Sequence, residues 1–224
     1  MGIFDKLYPT MGPETKPVSI DLLPEATTLD EISGYRADPK NKSGGKDFLE
    51  TKPHTFNARY LANMVHGMVI GEKHGVPQLP AHEIAALALK EGRDNLGVNE
   101  VKLRDGKDSP YDPDMKGDKD LWDKMSKEEF PSTGGKGQPI LDDARMFAVR
   151  LANKDKVAKK TGKPLAEVWN GAGKNIYGQT GAEYAASMKD FIKAAQHDKN
   201  KPLVSFIQNI IDGNKPKVLD QGNN

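Results

Sequence analysis

The sequence predicts a mainly α-helical domain with at most a small β-hairpin and a long loop insertion. Three observations predict it. Between residues 57 and 211, apolar residues recur at three- and four-residue spacing, which is the mark of helices with a buried side. Strand signals are weak throughout; VNEVKLR at 98–104 is the strongest, and it places any hairpin within 98–115. Residues 92–139 are rich in Asp, Lys, Gly and Pro and poor in apolar side chains. Connections of that length inside a domain commonly serve as lids or binding loops.

In chain order, residues 1–55 are proline-rich and polar, with one short apolar patch, VSIDLLPEA at 18–26. They are expected to form an extended N-terminal arm that packs on the main domain or docks to a partner. The main domain is expected to span 56–211. Its first helix is NARYLANMVHGMVIGEKHG at 57–75, with Ala58, Leu61, Val65, Met68 and Val69 as the apolar stripe and Gly75 as the stop. Pro80 opens a second helix, which Gly92 closes. Residues 92–139 then form the insertion. Periodicity resumes in PILDDARMFAVRLANKDKVAKK, where Ala144, Phe147, Ala148 and Leu151 share a face. A short helix follows Pro164. Tyr184, Met188, Phe191, Ile192 and Ala195 mark the next, and Leu203, Phe206, Ile207, Ile210 and Ile211 the last, before a polar tail at 212–224.

Composition removes several functional classes. Thirty-three Lys and Arg balance 32 Asp and Glu to a net charge of +1, which gives no reason to expect a nucleic-acid partner. The absence of cysteine excludes disulfides, thiolate nucleophiles and Cys-based zinc sites. No window has the apolar length of a membrane span, and the N-terminus lacks the pattern of a signal peptide. The expectation is a chain made in the cytoplasm whose export depends on another system. No metal or other cofactor is expected. The five histidines are scattered without an HExxH pattern, and DPDMKGDKDLWD at 112–123 resembles a calcium loop only with Lys116 at a ligand position and Asp123 in place of the final Glu. GKNIYGQTG lacks the Lys-Ser/Thr ending of a phosphate loop, and the serines lack a nucleophile-elbow context.

The chemistry centres on AALALKEGR at 85–93. Glu91 follows Ala88, Leu87 and Ile84 by three, four and seven residues, so it shares a side with the apolar stripe of its helix. Charged groups are seldom buried without a partner. A carboxyl held against apolar walls has its charged form disfavoured, which suits a general acid working near neutral pH. A helix-terminal Glu reaching solvent has the same spacing. The second stretch is WNGAGKNIYG at 169–178, where Trp169 and Tyr177 offer flat faces for sugar stacking and the Asn-Gly turn offers hydrogen bonds. A helix cap with ordinary aromatic packing reads equally from these letters.

Together these pieces, a Glu ending an apolar helix, an aromatic-Asn-Gly turn and a following helix with Tyr in AEYAASM, resemble the lysozyme-like superfamily. The resemblance is to its soluble lytic transglycosylase and goose-type lysozyme branch, and it runs in short patches over residues 57–200. The long insertion is like that of phage-encoded members. The chain departs from the family where Gly92 stands in place of the usual Ser, and no clear Gly-Leu-Met-Gln segment is present.

The resemblance implies a lysozyme-like helical domain with Glu91 as acid/base, Asn170 and Gly171 along a sugar cleft, and Tyr184 close to the catalytic carboxyl; Tyr177, as a stacking face, is the further candidate for sugar binding. It implies peptidoglycan glycan strands as substrate, and phage virion proteins as partners of the N-terminal arm. A transglycosylase needs Glu91 alone. A hydrolase would draw a second carboxylate from Asp94, Glu100, Asp105 or Asp108 in the insertion. A non-catalytic interaction protein on the same scaffold is the third reading.

Overall fold

The computed structural model describes residues 31–38, 48–92, 119–128, 138–170, 173–175 and 178–213, without the side chains of 138–143. Among them are two strands, β1 (Glu31–Gly34) and β2 (His54–Asn57), and seven α-helices. The helices are α1 (Ala58–Gly71), α2 (Ala81–Glu91), α3 (Lys119–Met125), α4 (Gln138–Thr161), α5 (Leu165–Trp169), α6 (Gly181–Gln196) and α7 (Lys201–Gly213). The class is therefore mainly α with one small antiparallel sheet. Among the described residues, no helix is long and apolar enough to cross a membrane.

The strands pair in the register Glu31↔Asn57, Ile32↔Phe56, Ser33↔Thr55 and Gly34↔His54. Beyond them the two segments stay together through the backbone bonds Asp38 N–H to Phe48 O, at 2.8 Å, and Glu50 N–H to Arg36 O, at 2.9 Å. Ala37, Phe48, Leu49 and Phe56 are buried in the common core. The described part of the 1–55 segment thus packs on the helices. The hairpin expected within 98–115 falls outside the described residues; the sheet that is described lies nearer the N-terminus, within 31–57.

The helix borders follow their punctuation. Asn57 caps α1 by accepting the Tyr60 amide at 2.9 Å, and a short 3-10 turn (Glu72–His74) closes on Gly75 at φ 87°. Thr180 and Glu183 form a reciprocal capping box at the start of α6. A helix not read from the sequence, α3, lies within the 92–139 stretch. It buries Leu121 and Met125, and Asp123 pairs with Lys119 at 2.7 Å. The carboxylate of Glu128, just beyond it, is held by Lys73 at 2.6 Å and His74 at 2.7 Å, which ties α3 to the end of α1.

At the centre lies α2, packed mainly against α6 and α7, while α1 packs against α4 and α7. Residues Ile84 to Leu89 are all buried, so α2 is apolar around its circumference rather than along one stripe. Its first turn also buries Glu83, only 1 % exposed, where the helix N-terminus favours a negative charge. The α1–α4 contact is close: a Cβ on Gly67 would lie 2.2 Å from the Ala144 carbonyl oxygen. Asn63 and His66, one turn apart on α1, are buried polar groups whose Oδ1 and Nδ1 find no hydrogen-bond partner among the described residues.

Candidate active site

The C-terminal end of α2 emerges from the core at Lys90 and Glu91, both half-buried. Gly92 ends the helix in the left-handed conformation, φ 66°, with its amide bonded to Ala88 O at 2.9 Å. A side chain there would be strained, which accounts physically for glycine at this position.

Opposite Glu91 stands α6. Its buried stripe of Tyr184, Met188 and Phe191 runs along the α2 contact, and the Tyr184 hydroxyl donates a hydrogen bond to Glu91 Oε1. Tyr184 is 4 % exposed. Burial first, then the Glu91 charge and the bond to it, push its phenol well above the ordinary tyrosine value, with Arg150 opposing. Tyr184 is therefore a proton donor across the physiological range, aimed at the carboxyl group.

Among the described residues, three cations act near this pair. The Lys90 ammonium lies 4.9 Å from the Tyr184 ring centre and 5.2 Å from that of Phe191. Burial lowers its pKa, Arg36 lowers it further and Glu91 works against both. Arg36, from the segment after β1, sits 5.5 Å over Phe191 and donates from Nη2 to the Lys90 carbonyl at 3.2 Å, where the negative end of the helix dipole favours a cation. Arg150 on α4 lies 5.0 Å over the Trp169 ring.

Among the residues expected from sequence, the structure brings Glu91 and Tyr184 together. Asn170 uses its amide within its own loop: Nδ2 donates to Gln179 O at 3.0 Å, and Oδ1 accepts from Asn175 Nδ2 at 2.9 Å. The loop is closed further by Asn175 Oδ1, which accepts from Gln179 N–H at 2.9 Å. Gly171 and Tyr177 fall outside the described residues. The expectation that Trp169 offers a stacking face is corrected. Its ring is only 3 % exposed and packs edge-on to Phe147, centroids 6.1 Å apart, because α5 turns it into the α4 interface.

Sequence reasoning missed Lys90, Arg36 and Arg150. Lys90 was in view beside Glu91, and Arg150 lies one turn beyond Phe147 on an amphipathic helix. Arg36 carries no local signal, since its contact is with a residue 54 positions away. Chemically, the arrangement is a carboxyl group with a fixed proton donor at the end of a buried helix, bordered by cations.

Comparison with known proteins finds no matching family model, no matching curated protein and no matching solved structure.

Proposed function

We propose that this chain cleaves the β-1,4 bond between N-acetylmuramic acid and N-acetylglucosamine in peptidoglycan, acting as a lytic transglycosylase with Glu91 as acid/base. The observation that carries the reading is the Tyr184 hydroxyl bonded to Glu91. The sequence resemblance asks for a tyrosine close to the catalytic carboxyl, and the side chains of two distant helices meet there.

In this mechanism the protonated Glu91 carboxyl gives its proton to the glycosidic oxygen as the bond to the muramic anomeric carbon breaks. The Glu91 carboxylate then takes the proton of the muramic 6-hydroxyl, whose oxygen closes on the same carbon to give the 1,6-anhydro product. No water is consumed. Tyr184 orients the carboxyl through both steps and keeps its own proton. The same proposal includes a phage setting and docking to virion proteins through the N-terminal segment, which rest on the sequence resemblance alone.

The test is digestion of purified peptidoglycan by the native chain and by Glu91→Gln, with products read by mass spectrometry. Anhydro muropeptides, lighter by one water than the reducing-end forms and absent with the variant, are expected. Reducing-end products would make the enzyme a hydrolase with a second carboxylate. No products from the native chain would reject enzymatic cleavage and leave an interaction protein on this scaffold.

A further inference from the structure

We infer that Arg36 is a positioning residue of this site: it holds the last turn of α2, and through it Glu91, in register with Tyr184. The inference deepens the reading of Glu91 as acid/base and rests on it for its catalytic meaning. Arg36 Nη2 donates to the Lys90 carbonyl at 3.2 Å. That oxygen is one of the last four of α2, which have no partner within the helix. It also belongs to the same planar peptide unit as the Glu91 amide, so anchoring it fixes the plane from which Glu91 extends. The guanidinium lies beside Gly92 as well, where a β-carbon would be 3.4 Å from Nη1, and it stands 5.5 Å from the Phe191 ring centre on α6.

Arg36 is itself fixed from both sides. Tyr35 N–H donates to Asn200 Oδ1 at 2.7 Å, and Asn200 Nδ2 donates to Tyr35 O at 2.8 Å and to Ala194 O at 2.6 Å. Glu50 N–H donates to Arg36 O at 2.9 Å. Asn200, in the 3-10 turn (Asp198–Asn200) between α6 and α7, is fully buried. The contacts form a closed circuit. It runs from Glu91 to Tyr184, along α6 to Ala194, through Asn200 to Tyr35 and Arg36, and back to the end of α2. A ring of contacts through rigid helices restricts the Glu91–Tyr184 pair more than one hydrogen bond does. Stability alone does not account for the arginine. Its Nε is buried without a hydrogen-bond partner among the described residues, which costs free energy, and its charge acts against the like charge of Lys90. The segment expected as an arm thereby supplies part of the framework of the site.

The test is a double-mutant cycle on peptidoglycan turnover with Arg36→Met, which keeps an apolar stem over Phe191, and Tyr184→Phe. Arg36→Met is expected to lower kcat about 10-fold with KM nearly unchanged, because only the placement of the acid is disturbed. Arg36→Lys, which also reaches a terminal carbonyl, should restore most of that loss. If both residues act by placing the Glu91 carboxyl, the double variant should be hardly slower than the slower single one. Losses that multiply, a loss confined to KM, or a native kcat in Arg36→Met overturns the inference. Should Arg36→Met fail to fold, Arg36→Gln runs the same cycle with a donor kept and the charge removed. Urea denaturation of the same four chains separates this inference from the acid/base reading. No turnover by the native chain rejects that reading; coupled stability losses then still support the placement of Glu91 by Arg36, and additive losses overturn it.

Discussion

The Tyr184 hydroxyl meets Glu91 Oε1 across 93 positions of sequence, joining the first turn of α6 to the last residue of α2. Each residue lies where its helix leaves or enters the packed core. The contact is therefore made by two rigid elements, whose mutual position is held by the long α2–α6 interface. Precise placement of a reacting group is better supplied by helices than by loops.

Replacing Tyr184 by Phe keeps the packed ring and removes the donor. A hydrogen bond to a charged group contributes about 1.5–3 kcal/mol. If Tyr184 orients the acid, kcat on peptidoglycan should fall roughly 10- to 100-fold with little change in KM. An unchanged kcat would show that the hydroxyl has no part in the chemistry.

Gly92→Ala places a β-carbon on a left-handed residue, at a cost of about 1–2 kcal/mol. The new atom would meet Arg36 Nη1 at 3.4 Å, an ordinary contact, so backbone strain dominates. Chemical denaturation should show this loss for Ala and a smaller one for Asn, which tolerates the conformation better. Equal losses for the two would point to the Arg36 contact instead.

Gly67→Ala tests the α1–α4 approach. Alanine favours an isolated helix by about 1 kcal/mol over glycine, but here the β-carbon would lie 2.2 Å from the Ala144 carbonyl oxygen. Overpacking against backbone should win, with a net destabilisation of about 2–3 kcal/mol by urea titration. A gain in stability would mean that the two helices separate without cost.

His66 makes stability depend on pH. Burial lowers its pKa from 6.5 to about 4, so between those values the unfolded chain binds a proton that the folded chain refuses. Stability from this residue is therefore complete above pH 6.5, declines as the pH falls and is lost at about 4, a change of roughly 3 kcal/mol. Denaturation of the native chain and of His66→Leu, compared at several pH values, should show that slope only in the native chain. Parallel profiles would place the pH dependence elsewhere.

Much of the helical framework was legible because local signals suffice for it. Gly75, Pro80, Gly92 and Pro164 stand at the helix borders they predict, and the stripe from Tyr184 through Phe191 is buried as its spacing requires. The setting of Glu91 was less legible. Its spacing placed it on an apolar side, yet Glu83 is the more buried of the two acids on α2. Spacing along one helix cannot tell a helix surrounded on all sides from one with a single buried face, nor say where such a helix emerges.

By itself the sequence determined the helical class, the borders of the helices other than α3 and the candidacy of Glu91, because periodicity, caps and glycine stops act within a few residues. Tertiary structure alone decided what surrounds that carboxyl. It turned Trp169 inward against Phe147, and it closed Asn170 onto its own loop. It also placed Arg36 and Lys90 over the Phe191 ring of α6 and Arg150 over that of Trp169, and seated a two-stranded sheet from the N-terminal segment on the helices. These relationships depend on which helix faces pack together and at what angle. That choice is made by the summed burial of the whole core, which no local stretch of sequence contains.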